Sequence, residues 1–409
     1  MKCRHCNESL TNTFIDLGFA PPSNAYLENK DLQRPEKYFP LKVMVCDKCW
    51  LVQTLDYTNA ADLFQEDYAY FSSTSSSFLD HASKYCKNII KELGLTKNSF
   101  VIEVASNDGY LLKNFVEEEI SCLGVEPTHS TADEAEKIGI PVLREFFGEE
   151  IGNQIAVNHQ KADLIIGNNV FAHVPDINDF SKGLAAALKI SGTITLEFPH
   201  LMKLLEFNQF DTIYHEHFSY LSLYSVSSIF KMAGLRVYNV EELNTHGGSI
   251  RVYGCHQNSD IKEKSSVKDM LDKESTNNMK KIDPYILLQK SAENIKDTFL
   301  QFLIDASQSG KKVAGYGAAA KGNTLMNFAG IKKDGIKFVC DAAEAKQDKY
   351  LPGTHIPICH PEKLISEPVD YIIIFPWNIA DEVKQDLRKK INYATQFVTF
   401  IPELRIESI

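Results

Sequence analysis

Nowhere among the 409 residues do about 18 apolar side chains run together, so no membrane-spanning helix is expected. Positive charge is also in deficit. Lys plus Arg number 43 against 54 Asp plus Glu, a formal net charge of −11. A chain so acidic lacks the basic face that nucleic acid or a membrane surface demands, and neither is an expected partner; a small phosphorylated ligand needs only a local pocket. The opening MKCRHCNESL lacks the apolar stretch of a secretory signal. Nine cysteines are an odd number and form no self-evident disulfide framework. In a large chain without an export signal they read as reduced thiols or metal ligands, which makes the cytoplasm the expected location. The remaining composition, 44% apolar and 24% charged, is that of a globular protein long enough for two or three domains.

Three regions follow from the pattern. Residues 1–70 are rich in Cys, Pro and Asn, with short apolar runs such as 41-LKVMV-45, and predict a small strand-and-loop module. After 72-SSTSSS-77, apolar residues at Phe78, Ala82, Tyr85, Ile89 and Leu93 mark a helix. From Phe100, unalternating apolar runs at 100–105, 121–126, 163–169 and 192–198, with a shorter one at 140–143, predict buried parallel strands separated by helices. A helix near 222–233 and strands at 235–243 and 249–255, joined by 244-NTHGG-248 as a hairpin turn, complete a domain at 71–256. Residues 257–310 read as one long helix or a pair, weakest at 273–281. A second alternating unit follows, with strands near 311–316, 336–341, 370–375 and 396–401. The expected fold is α/β: an N-terminal metal module, a central Rossmann-like domain, and a second Rossmann-like domain at 257–409.

Two C-x-x-C pairs, Cys3/Cys6 and Cys46/Cys49, flank the first module. Two thiolates at this spacing sit on one tight turn, and two such turns complete a tetrahedral sulfur shell that suits a structural zinc ion. Four packed thiols or a redox pair are the bland alternatives.

The first strand of the central unit runs into 103-EVASNDG-109 and opens a helix. Glu103 is placed to bind an ammonium or order the loop, and Gly109 to let backbone approach a ligand. Strand two ends at Glu126, where a carboxylate can accept from ribose hydroxyls, and strand four ends at Asn168 and Asn169. Ala105 and Asn107 occupy two positions where a dinucleotide fingerprint needs glycine. That weakens a nicotinamide reading and favours S-adenosylmethionine, which has a charged amino-acid tail and no pyrophosphate. A Rossmann turn without a ligand is the structural alternative.

The densest titratable cluster is 214-YHEHFSY-220, with Tyr214, His215, Glu216, His217 and Tyr220. Removing a proton beside a ketone needs a base and a donor to the enolate oxygen, roles that a His and a Tyr can fill. H-E-H is not the helical H-E-x-x-H spacing, so a catalytic metal is not expected. A solvated surface loop is the competing reading. Tyr68 and Tyr70 read by default as half-buried aromatics, and His173 as a structural histidine behind strand four.

These segments in order resemble the S-adenosylmethionine-dependent deoxysugar C-methyltransferases, in particular nucleotide-sugar C-3 enzymes with an N-terminal zinc module. The likeness includes the four cysteines with 17-LGFAPPSNAYL-27, then 68-YAYFSSTSSSF-78 and 102-IEVASNDGYLL-112. It continues through 167-GNNVFAHVPD-176, 213-IYHEHFSYLSL-223, 245-THGGSIRVY-253 and 315-GYGAAAKGNTL-325. The resemblance implies His217 as general base, Tyr214 and Glu216 beside the sugar, Tyr68 closing over it and His173 near the keto group. It also implies a nucleoside-diphosphate keto-sugar as substrate, held partly by the C-terminal domain. Gly317, Lys321 and Asn323 are the chosen contacts there, because a glycine-rich turn offers N–H groups to phosphate and lysine adds charge. The rivals are a nicotinamide-dependent nucleotide-sugar oxidoreductase or epimerase, and a zinc-ribbon adaptor without catalysis.

Overall fold

The unalternating apolar runs do become strands buried on both faces. A computed structural model describes residues 1–55, 72–74 and 76–408. Its largest sheet has seven strands, in the order Leu235–Leu243, Ser249–His256, Leu188–Pro199, Ala162–Asn168, Phe100–Val104, Ser121–Val125 and Val142–Leu143. Neighbours are parallel from Leu188–Pro199 through Val142–Leu143, whereas Ser249–His256 is antiparallel to both of its neighbours. All five residues of Phe100–Val104 are buried. The chain steps from this strand first to one side and then to the other. That reversal opens a crevice at the carboxyl ends of Phe100–Val104 and Ala162–Asn168, where ligands bind in such sheets.

The C-terminal sheet repeats the design. Val313–Tyr316 lies between Val339–Cys340 and Tyr371–Ile374, all parallel, and the antiparallel Arg405–Ser408 closes one edge. Its own reversal point lies after Val313–Tyr316, where the chain turns at Gly317 into the helix Ala320–Phe328.

The N-terminal strands Asn12–Ala20, Phe39–Val45 and Val52–Thr54 make a small antiparallel sheet that borrows a fourth strand, Ser219–Tyr220, from just beyond His217. The weak stretch near 273–281 is where the helix Ser265–Thr276 stops before Asp283–Gln308 begins with Pro284 in its first turn. The long helix buries Tyr285, Leu288, Ala292, Ile295 and Phe299, and these share one apolar cluster with Phe14 and Val43 of the first sheet and Val313 and Ile373 of the last. Each fully buried side chain of this size contributes roughly 1.5–3 kcal/mol. The N-terminal module is therefore held by a core it shares with the C-terminal unit, and the segment 201–220 lies in the same cluster.

Candidate functional site

The Tyr-His-Glu-His segment is not a solvated loop. His215, Glu216 and His217 are buried, and the segment lies where the three sheets meet. Its backbone is pinned from the C-terminal unit, because Thr324 Oγ1 donates to the Ile213 carbonyl at 2.9 Å. From the same side, Trp377 Nε1 donates to Asp211 Oδ2 at 2.7 Å. From the N-terminal sheet, Thr54 N donates to the Phe218 carbonyl at 3.1 Å.

His217 Nδ1 lies 2.8 Å from the Thr212 carbonyl. A carbonyl only accepts, so Nδ1 carries the proton and Nε2 keeps a lone pair in the neutral ring. Burial, then the neighbouring His173, hold this imidazole well below the ordinary histidine value. The ring is walled by Tyr214 at 4.0 Å, His173 at 4.6 Å and Tyr220 at 5.9 Å between centroids. His173 Nδ1 donates to the Glu216 carbonyl at 2.9 Å, and burial lowers its pKa to about 4. The Glu216 carboxylate accepts from Asn24 Nδ2 at 2.8 and 2.9 Å. Tyr68 and Tyr70 lie outside the described residues.

Lys321 reaches the same place from the C-terminal unit. Its Nζ donates to Asn378 Oδ1 at 2.8 Å and sits 4.5 Å over the Trp377 ring. Burial lowers it to about 8 while Asp211 opposes the shift; burial raises Asp211 to about 6 while Lys321 opposes that one. Asn323 is buried with both amide atoms unpartnered among the described residues. Gly317 departs from the expected role. Its N–H is committed to the Cys340 carbonyl at 2.7 Å, and the next, of Ala318, to Asp341 Oδ2 at 2.7 Å. Glycine is needed there for another reason: φ is +89°, and a Cβ would lie 2.4 Å from Pro376.

The crevice of the central sheet is built from strained backbone. Ala105, Asn107 and Asn169 have φ of 57°, 51° and 54°. Non-glycine residues in this region cost energy that surrounding contacts must hold, and they collect at ligand sites. Glu126 supplies such contacts, accepting from the N–H of Asn107 at 3.0 Å and of Thr128 at 2.9 Å. Asn169 N–H bonds the Glu197 carbonyl at 2.8 Å. Gly109 has φ +77°, its N–H bonds the Ser106 carbonyl, and a Cβ would meet Ile140 at 2.5 Å; packing and turn geometry account for the glycine. Glu103 is buried with Oε2 unpartnered among the described residues, and burial, then Asp108 and Glu126, push its carboxyl well above the ordinary range. Asn168 Oδ1 is likewise unpartnered among them. A buried acid with no cation against it among the described residues and an amide oxygen open to a donor suit a ligand bearing an ammonium, such as the amino-acid end of S-adenosylmethionine.

The four cysteines come together as the spacing implied. Their Sγ atoms all lie within 4.8 Å of one another, with Cys3–Cys49 and Cys6–Cys46 at 3.5 Å. Thiolates around zinc at about 2.3 Å stand about 3.8 Å apart in a tetrahedron, so the donor set fits that ion.

Several neighbours carried no local signal. Asn24 lies in a proline-rich stretch, Asp211 beside the motif, and Trp377 after a C-terminal strand. Within core strands, Glu197 accepts from His81 at 2.9 Å and Arg251 at 2.5 Å. His246 stands in the hairpin turn at φ 53°, and burial, then Lys321, lower it to about 4.

Comparison with known proteins adds lineage to this geometry. Residues 3–64 match a zinc binding domain, 78–240 a methyltransferase domain and 244–402 a C-methyltransferase C-terminal domain. Among solved structures, an S-adenosylmethionine-dependent methyltransferase from Clostridium acetobutylicum is 13% identical over 44% of this chain and 92% of its own, with a TM-score of 0.35. Magnesium protoporphyrin IX methyltransferase from Synechocystis is 11% identical over 44% of this chain and 82% of its own, with a TM-score of 0.34. The C-methyltransferase NovU of Streptomyces niveus is 34% identical over 407 residues, covering 100% of this chain and 97% of the relative. The chain thus belongs to the C-methyltransferases, S-adenosylmethionine-dependent enzymes that join a zinc binding domain, a methyltransferase domain and a C-terminal domain of their own.

Proposed function

We propose that this enzyme places a methyl group on a carbon, C-3, of a nucleoside-diphosphate-linked 4-keto-deoxysugar, with His217 as the base. The observation that carries the reading is the Nδ1–Thr212 carbonyl bond, which leaves Nε2 of a neutral, buried imidazole to accept a proton. A ketone acidifies the neighbouring C–H, and a base within reach of it contributes about 10²–10⁴-fold. In this reading Tyr214 and Glu216 lie beside the sugar, His173 near its keto oxygen, and Tyr68 over it. Lys321 and Asn323 face the diphosphate, and Gly317 shapes their turn. Burial of His217 and its neighbours keeps water from competing for the enolate.

Glu103, Ala105, Asn107, Gly109, Glu126, Asn168 and Asn169 would hold S-adenosylmethionine, which supplies an electrophilic methyl on a sulfonium. Cys3, Cys6, Cys46 and Cys49 would hold zinc in a closed shell that contributes folding energy and no open position for water. The division of labour assigns metal to residues 1–70, the methyl donor to 71–256 and the nucleotide end of the substrate to 257–409. The reaction is placed in the cytoplasm, where the thiols stay reduced.

The test is incubation of the enzyme with isotopically labelled donor and a panel of keto-sugar nucleotides, read by mass spectrometry and by carbon NMR of the product. A labelled carbon-bound methyl at C-3 is expected. Label on oxygen or nitrogen, or transfer only to sugars that lack a ketone, would overturn the reading, and label at C-5 would correct the position.

A further inference from the structure

We infer that Arg4 and His5, carried between two of the metal-binding cysteines, are positioning residues that lock the loops bearing His173 and His217, so that metal occupancy is felt at the base. The inference rests on the reading of His217 given above. One guanidinium spans both loops. Arg4 Nη1 donates to the Pro175 carbonyl at 2.8 Å, two residues beyond His173. Its Nη2 donates to the Thr54 carbonyl at 2.9 Å. The guanidinium carbon sits 5.4 Å over the ring of Phe218, the residue after His217. Thr54 continues the link, since its Oγ1 lies 3.3 Å from the His217 carbonyl.

His5 secures the next layer. Its Nδ1 lies 2.8 Å from Asn178 Oδ1 and its Nε2 3.0 Å from Ser228 Oγ. Asn178 Nδ2 answers to the carbonyls of Arg4 at 3.2 Å and His5 at 2.9 Å. Gln53 ties this to the sulfur, donating from Nε2 to Cys3 Sγ at 3.2 Å and accepting the Arg4 N–H at 2.9 Å. Because Cys3 and Cys6 flank Arg4 and His5, a shared ion fixes the turn that aims both side chains. Misplacing a catalytic group by about 1 Å costs about a hundredfold in rate. Neither residue is placed against the substrate, so their loss is felt in kcat and not in KM.

The experiment compares full-length, zinc-loaded wild type with Arg4→Ala and Arg4→Lys. Zinc content, kcat, KM for the keto-sugar nucleotide, and backbone amide exchange across 170–178 and 212–220 are all measured. Arg4→Ala is expected to keep its zinc, to speed exchange in both segments, and to lower kcat by about tenfold or more with KM changed less than about twofold. Arg4→Lys, with an ammonium able to serve one carbonyl, should fall between; it also carries the test if the alanine variant does not fold. Chelating zinc from the wild type should reproduce the exchange pattern. Unchanged exchange in both segments and unchanged kcat in a zinc-loaded variant would overturn the inference. Faster exchange with wild-type kcat would overturn the reach of the lock to the base; whether His217 is the base is read separately from His217→Ala, so the two failures are distinguishable.

Discussion

Asn24 sets one amide nitrogen 2.8 and 2.9 Å from the two carboxylate oxygens of Glu216, across 192 residues of sequence. Glu216 is buried, so this donor offsets part of the cost of taking its charge out of water. Asn24→Ala is expected to lower kcat by about tenfold by loosening Glu216, the group proposed to lie beside the sugar. Asn24→Asp should be worse, because it sets a second carboxylate against the first. Steady-state kinetics of the two variants check the order; an aspartate variant as active as wild type would separate Glu216 from the reaction.

His217→Ala should lose turnover by about a hundredfold or more while the methyl donor still binds. The donor crevice is built from other loops, so affinity measured by calorimetry is expected to stay near wild type. A variant with near wild-type rate would leave the proton to another base.

The pH dependence follows from the burial of four imidazoles. His173 and His246 are lowered to about 4, His217 lies well below 6.5, and burial lowers His215 as well, so all four are neutral in the folded chain at neutral pH. In the unfolded chain they titrate near 6.5. Their contribution to stability is fully present above about 6.5. As pH falls below that value the unfolded state takes up protons first, and stability declines. Activity that depends on neutral His217 should stay level through pH 6.5 and fail only at lower pH. A profile of kcat/KM, with urea midpoints at each pH, measures both; an acid limb inflecting at 6.5 would show His217 to be solvated or not the base.

Glu126→Gln should weaken donor binding by about tenfold or more. The carboxylate serves the N–H groups of both Asn107 and Thr128, whereas a carboxamide has a single acceptor oxygen. Bonds to a charged acceptor are worth about 1.5–3 kcal/mol, enough to relax the 105–107 turn as well as weaken the proposed ribose contact. Unchanged affinity by calorimetry would remove Glu126 from the donor site.

What was legible in the sequence was whatever local chemistry forces. Cys3/Cys6 and Cys46/Cys49 stood out because few roles need two thiols on a turn. The strands from Phe100 to Phe198 stood out because parallel sheets bury both faces. The Tyr214–His217 segment was visible as a cluster, but its burial was not, since polar residues next to one another look alike in a loop and in an interface. Gly317 shows the converse: a glycine-rich turn suggests N–H donors for phosphate, whereas the sequence does not tell that the N–H groups of Gly317 and Ala318 are taken by Cys340 and Asp341. Asp211 and Trp377, 166 residues apart, meet only because the C-terminal unit packs on the motif. Glu197 and Arg251 read as interruptions of core strands until pairing in the sheet sets them side by side.

Metal removal should reach beyond the cysteines. The strands between the two C-x-x-C turns hold Phe14 and Val43, which share their cluster with Tyr285 and Phe299 of the long helix. A zinc ion binds the folded thiolate shell far better than the unfolded chain, so its binding energy is folding energy. Chelation, or Cys46→Ser, is expected to lower the unfolding midpoint by more than about 5 °C and to abolish a stoichiometry of one zinc per chain. Metal analysis with a thermal scan checks both. Because the shared core joins the module to the helix Asp283–Gln308, the loss should appear as destabilisation of the main transition. A chelator-insensitive midpoint, or protein that carries no metal when purified without chelator, would leave the four sulfurs as packed thiols and the sheet as self-supporting.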